Sequence, residues 1–152
     1  MVFLTQCDTT AGLLGRDPQV LNALKGRSIN QPVLTESPSL AALKTLVRVP
    51  KAHRSRLRRA KHTSFIYPNG KAVRLVGTRD MVSQAGVNDA HSRFLSSVGA
   101  LYSTSANKSG EDFKEAWARE VCDVMVLDSR GLYQGRASKI YAINHTKIQR
   151  RR

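Results

Sequence analysis

The pair Asn69-Gly70 sits between two strand-like runs, Ser64-Phe65-Ile66-Tyr67 and Ala72-Val73-Arg74-Leu75-Val76. Asn-Gly readily takes the positive φ angles that a tight hairpin turn needs. The spacing therefore predicts two antiparallel strands joined through Pro68-Asn69-Gly70-Lys71. Further apolar runs, at Val2-Phe3-Leu4-Thr5, Pro32-Val33-Leu34 and Gly99-Ala100-Leu101-Tyr102, also read as strands. So do Val124-Met125-Val126-Leu127 and Lys139-Ile140-Tyr141-Ala142-Ile143, the first as a central strand because it is apolar throughout. Helical patterns fall between these runs. That interleaving predicts an α/β (α+β) fold, a single domain on one twisted, mostly mixed open sheet flanked by helices. The 152 residues, 41% of them apolar, suffice for one core. The body is expected over 1–146, with 147–152 as a frayed basic tail.

Helix boundaries are marked by local chemistry. Asp17-Pro18 supplies an N-cap and a first-turn proline, and Val20, Leu21 and Leu24 form the inner stripe. Gly26 stops this helix and leaves Lys25 and Arg27 on either side. Ser37-Pro38 repeats the start signal ahead of Leu40, Leu43, Leu46 and Val47. Residues Gly77 to Asp89 show no clear period and read as a loop with a short helix. A helix over His91 to Val98 turns Phe94, Leu95 and Val98 inward, ends at Gly99, and carries His91 as a surface residue. A further helix is expected over Glu111 to Val121, with Phe113, Ala116, Trp117 and Val121 inside.

Lys and Arg outnumber Asp and Glu by 25 to 11, a formal net charge of +14. Such an excess favours polyanionic partners, nucleic acid first. It is densest in Lys51-Ala52-His53-Arg54-Ser55-Arg56-Leu57-Arg58-Arg59-Ala60-Lys61. This run is either a solvated basic helix or partly disordered loop, or an RNA footprint through Arg54, Arg56, Arg58, Arg59 and Lys61. Two cysteines, Cys7 and Cys122, exclude a disulfide framework and read as small buried residues. Met1-Val2-Phe3-Leu4 is too short for a signal-peptide core, and no apolar run approaches membrane-spanning length. A cytoplasmic protein with no membrane contact is the expectation.

The stretch Thr104-Ser105-Ala106-Asn107-Lys108-Ser109-Gly110 lies between an expected strand and an expected helix. A loop of this kind offers hydroxyls, an amide and backbone N–H groups at a helix N-terminus, where an anion is favoured. Other polar clusters fall just past expected element ends: Asp8-Thr9-Thr10, Lys25 with Arg27, Thr63-Ser64, Arg74, and Ser138. In open α/β sheets, ligands collect at such ends. The sequence contains no Gly-x-Ser-x-Gly elbow, no zinc-ligand spacing, no Walker-type loop and no Gly-x-Gly-x-x-Gly fingerprint. Cations and hydroxyls remain, the chemistry of phosphate and carboxylate binding.

These residues resemble the YrdC-type threonylcarbamoyl-AMP synthases over nearly the whole chain. Four motifs carry the likeness: Asp8-Thr9-Thr10-Ala11-Gly12 after the first strand, Lys25-Gly26-Arg27 followed by Pro32-Val33-Leu34, Ser105-Ala106-Asn107 with Gly110, and Ala137-Ser138-Lys139-Ile140. Departures from the family pattern are specific. Gln6-Cys7 stands for Pro-Thr, Ala11 for a Tyr, Lys61-His62-Thr63 for Pro-Gly-Pro-x-Thr, and Arg74-Leu75-Val76 for Arg-x-Pro.

The resemblance implies a YrdC/RibB-like fold and a nucleotidyltransferase. It would join L-threonine, bicarbonate and ATP with Mg²⁺ into threonylcarbamoyl-AMP and pyrophosphate, for threonylcarbamoyladenosine in tRNA. It implies catalytic roles for Lys25, Arg27, Ser105 and Asn107. Asp8, Thr9, Thr63, Arg74, Thr104 and Ser138 would bind substrate or nucleotide. A TsaD-like transferase and tRNA are the implied partners. Two other readings stay open: a non-catalytic RNA-binding module of the same fold, and a carbamoyl-adenylate enzyme with another substrate.

Overall fold

The computed structural model describes residues 1–76 and 89–152. In chain order the elements are β1 (Val2–Gln6), β2 (Ala11–Gly15), α1 (Pro18–Leu24), β3 (Leu34–Ser37) and α2 (Leu40–Leu46). A 3-10 turn (Lys51–His53), α3 (Arg54–Arg59), β4 (Thr63–Ile66), β5 (Ala72–Leu75) and α4 (Asp89–Val98) follow. The chain closes with β6 (Leu101–Ser105), α5 (Glu115–Val121), β7 (Val124–Val126), β8 (Lys139–Ile143) and β9 (Ile148–Arg150). Among the described residues, nine strands of mixed direction and five α-helices make the fold α/β, as the interleaved pattern predicts. These residues cluster in two compact units: Met1–Val33 with Leu101–Ala137, and Leu34–Ala100 with Ser138–Arg152. The loop and short helix expected from Gly77 to Asp89 lie almost wholly outside the described residues.

In the first unit the strand order is β7-β1-β2-β6. β1 and β2 form an antiparallel hairpin, with Val2 opposite Gly15 and Gln6 opposite Ala11. β7 joins β1 in parallel, and β6 joins β2 antiparallel. The core is Val2, Leu4, Ala11, Leu13, Leu21, Ala106 and Ala118, none more than 4% exposed. Complete burial of a leucine such as Leu21, the inward anchor of α1, contributes about 1.5–3 kcal/mol.

The second unit runs β3-β5-β4-β8-β9. β3–β5 and β4–β8 pair in parallel, while β4–β5 and β8–β9 pair antiparallel. The predicted hairpin is present: Tyr67 N–H donates to Lys71 O at 2.9 Å, and Gly70 takes φ +80°. Its core joins Phe65, Tyr67, Val73 and Leu75 to Leu43, Val47, Val49, Leu57 and Ile143.

Several expectations change. Residues 11–15 form β2, a strand that none of the apolar runs named above includes. The Val124–Leu127 run is an edge strand of its unit, not a central one, and Val124, Met125 and Leu127 are 38%, 43% and 53% exposed. A run of apolar residues carries no information on which side of a strand is paired. The tail does not fray at 148–150, where it pairs with β8, and its charged side chains suit an edge strand. The helix after Ser37 is capped by Ser39, whose Oγ accepts the Ala42 N–H at 3.1 Å, and β3 occupies residues 34–37. Of the two structural readings of the Lys51–Lys61 run, residues 54–59 are helical, and Leu57 anchors them in the core. His91 is buried, 1% exposed, not on the surface of its helix.

Candidate functional site

Lys25 caps the C-terminus of α1. The Gly26 N–H donates to Ala23 O and the Arg27 N–H to Asn22 O, with Gly26 at φ +67°. That is a Schellman closure, which satisfies the last helical carbonyls and turns the chain sharply. It sends the Lys25 side chain towards the segment after β6. The ammonium donates to Ser105 O at 2.7 Å and to Asn107 O, with Ser105 Oγ at 3.4 Å and Asn107 Oδ1 at 3.3 Å. The backbone answers: Ser109 N–H donates to Lys25 O at 3.2 Å. The structure therefore brings together Lys25, Ser105 and Asn107.

Every one of these Lys25 partners is neutral. No carboxylate contacts the ammonium among the described residues, although Lys25 is only 5% exposed. Burial first, and the nearby Arg27 charge second, push its pKa down to about 8. It is still charged in most molecules at pH 7. A buried ammonium facing only dipoles is a position where an anion gains and water does not compete.

Arg27 is half-buried beside it, and its Nε donates to Asn22 Oδ1 at 2.6 Å. Burial lowers its pKa as well. Asn22 is fully buried and also donates to Ile29 O at 2.9 Å and Gln31 O at 2.8 Å. It thus sets both the loop after α1 and the aim of Arg27. Sequence reasoning missed Asn22. Its one signal is a polar residue adjoining Leu21 in a short amphipathic helix.

The Ser-Ala-Asn turn differs from expectation in one respect. α5 begins at Glu115, not Glu111, so the turn is not at a helix N-terminus. Asn107 Nδ2 donates to Lys108 O and Glu111 O at 2.8 and 2.6 Å and closes a local turn before the helix starts. The N–H groups of Ala106, Asn107 and Ser109 are taken by Ala11, Ser105 and Lys25 carbonyls. Cation charge, more than free N–H groups, is what this turn offers a ligand. Thr104 is half-buried on β6 opposite Leu13.

Asp8 and Thr9 lie in the β1–β2 turn, half-buried and buried respectively. Residues 128–135 fold onto this turn. Arg130 grips Asp128 through Nε and Nη2 at 2.9 and 2.6 Å, and donates to Gln6 O at 2.7 Å and Cys7 O at 3.2 Å. Gln6 Oε1 accepts the Tyr133 N–H at 2.9 Å, and Thr10 Oγ1 the Gly135 N–H at 3.0 Å. These polar staples had no spacing signature. A Cβ at Gly135 would stand 1.9 Å from Thr9 O. Because the obstacle is backbone, Gly135→Ala is expected to cost about 1–3 kcal/mol. A thermal melt that is unchanged within error would contradict this packing.

In the second unit, Thr63 Oγ1 donates to Lys61 O at 2.7 Å, and the Ser64 and Ser138 hydroxyls bond at 3.0 Å in a buried pair. Arg74 is 4% exposed on β5, opposite Glu36 on β3, and the two form an ion pair. The other Glu36 oxygen lies 2.5 Å from His91 Nε2. Glu36 and His91 are thus partners of Arg74 that sequence reasoning did not find. Arg56, Arg58 and Arg59 are exposed on α3, while Arg54 and Lys61 are half-buried. No described helix is long and apolar enough to cross a membrane.

No family model and no curated sequence matches the chain. Solved structures do. A variant of P. abyssi Sua5 superposes with a TM-score of 0.70 at 16% identity, over 99% of this chain and 49% of that one. The same protein complexed with L-threonine gives 0.67 at 16% identity, covering 93% and 47%. MTH1692 from Methanobacterium thermoautotrophicum gives 0.65 at 17% identity, covering 98% and 78%. Full-length HypF in a phosphate- and nucleotide-bound form gives 0.67 at 14% identity, covering 98% and 26%. The chain spans about half the length of the Sua5 structures it matches. At these identities the likeness is one of fold.

Proposed function

We propose that this chain is a threonylcarbamoyl-AMP synthase, acting on L-threonine, bicarbonate and ATP. The observation that carries the reading is the buried Lys25 ammonium with no acidic partner, held by Ser105 and Asn107 beside Arg27. The fold shared with a Sua5 structure that holds L-threonine and a HypF structure that holds nucleotide and phosphate supports it.

In this proposal the threonine amine adds to bicarbonate with loss of water, giving a carbamate. A carbamate oxygen then attacks the α-phosphorus of ATP, the bond to the bridging oxygen breaks, and pyrophosphate leaves. Negative charge gathers on the α-phosphate oxygens and the leaving group. Lys25 supplies a point charge there, and Arg27 a planar fork suited to two oxyanions. Ser105 and Asn107 hold Lys25 in place, and Ser105 presents its hydroxyl to the nucleotide or carbamate. Asp8, Thr9 and Thr104 keep the substrate-contacting roles that the sequence motifs imply. ATP enters as its Mg²⁺ complex. Phosphate oxygens and water would be the ion's main ligands. No general base is needed at the phosphoryl step; positioning and charge neutralisation suffice.

The test is pyrophosphate release from MgATP by purified chain. Release is expected only with both threonine and bicarbonate, and to be lost in Lys25→Ala/Arg27→Ala. Release that survives the double substitution would refute the site assignment. Release with carbamoyl phosphate but not with threonine would transfer the reading to a carbamoyl-adenylate enzyme of other specificity.

A further inference from the structure

The second unit has a cavity of about 580 Å³ that the proposed chemistry does not use. Its rim is Lys44 from α2, Arg48 after it, Lys51 of the 3-10 turn, Arg54 at the start of α3, and His145 between β8 and β9. Its floor includes Val49 and Pro50, both buried. No acidic side chain lines it. Among the described residues none of the four cations forms an ion pair, and Arg54 Nε is withdrawn from solvent without an acceptor. Four like charges gathered from separate elements around a buried apolar floor repel one another. Such an arrangement is relieved by an anion with several charged groups.

We propose that this cavity binds the phosphodiester backbone of a nucleic acid. No Phe, Tyr or Trp lines it, so no broad ring is set to stack a base, and contact is to phosphates without sequence preference. The ligand is a polymer because the charge does not stop at the rim. Arg58 follows Arg54 by one helical turn on the exposed side of α3. Arg56 and Arg59 line a second cavity of about 430 Å³ with Phe65 and Tyr141. A single small anion fills one such cavity; a backbone tracks along the helix past both. The inference is independent of the catalytic proposal.

The experiment is a binding titration of labelled tRNA transcript, and of a DNA duplex of equal length, against the intact chain and Lys44→Ala/Arg48→Ala/Lys51→Ala. All three positions are exposed, and the melting temperature of the variant is measured alongside. Each phosphate contact removed lowers the slope of log affinity against log salt by about 0.7–0.9. The triple variant is expected to bind at least about 10-fold more weakly at moderate salt, with a slope smaller by about 2–3. Threonine-dependent pyrophosphate release should be unchanged. The three single substitutions, each lowering the slope by about one, provide the same test if the triple variant melts early. Binding to RNA but not DNA would make RNA the source of the backbone, and equal loss on both would make the site indifferent to the sugar. Unchanged affinity and slope would overturn the proposal, as would inorganic tripolyphosphate binding as tightly as either polymer in the intact chain and losing that affinity in the triple variant.

Discussion

Lys25→Met is expected to lower threonine-dependent pyrophosphate release by about 10²–10³-fold, the usual cost of removing one preorganised group facing transition-state charge. The same substitution is not expected to weaken the fold. Lys25 now sits buried with neutral partners only, and methionine fills similar space without an ionised group. Its folded pKa, about 8, lies below the ordinary 10.5. Between these values the unfolded chain binds more protons than the folded one, so stability rises with pH across that window. Below about pH 8 both states are protonated and the burial penalty is constant. Melting curves from pH 8 to 10 should therefore show a rise in the natural chain that Lys25→Met lacks. A nucleotide bound as proposed would set an anion beside Lys25 and raise its pKa, so calorimetry near pH 8.5 should record proton uptake on binding. An inactive variant that also melts much earlier than the natural chain would mean that Lys25 is structural. An active one would remove it from the mechanism.

Glu36→Ala is expected to destabilise the fold by about 3–5 kcal/mol, lowering the melting temperature by on the order of 10 °C. Glu36 is fully buried and faces both Arg74 and His91. Its removal leaves a buried guanidinium without the carboxylate it pairs with. The cost lies in keeping that charge buried without the Glu36 carboxylate more than in the lost pair. Adding Arg74→Leu to Glu36→Leu should accordingly recover much of the stability, because a buried ion pair replaced by apolar groups is often neutral. A melting temperature for Glu36→Ala within about 2 °C of the natural chain would show that water or another group satisfies Arg74.

How much of this was legible in the sequence depended on whether the signal was local. Asn69-Gly70 set the β4–β5 hairpin because its conformational preference needs no partner. Asp17, Pro18 and Gly26 bracketed α1 for the same reason, and the Asp17 carboxylate does accept the Gln19 N–H at 2.8 Å. β2 was missed because Gly12 and Gly15 punctuate Ala11-Gly12-Leu13-Leu14-Gly15, and glycine reads as loop. Here the glycines serve packing: a Cβ at Gly12 would meet Cys7 Sγ at 2.5 Å. β7 and β9 were misplaced because composition reports burial only on average. An apolar run became an exposed edge and a basic tail became a strand.

The candidate site divided in the same way. Lys25, Ser105 and Asn107 stood out through the order of their motifs, and the chain brings them within hydrogen-bond reach across 80 residues. Asn22, Arg130 and the Glu36–His91 pair carry no motif. Each is a polar residue whose role is set by what the tertiary structure places against it, through contacts distant in sequence for Arg130 and the Glu36–His91 pair.

The most direct measurement is the mass of the product formed from MgATP, L-threonine and ¹³C-bicarbonate by the purified chain. The expected product is an adduct containing AMP, one threonine and one labelled carbon, formed in step with pyrophosphate and absent with Lys25→Met. A folded chain that binds ATP yet yields only unlabelled products, whichever amino acid is supplied, would contradict it.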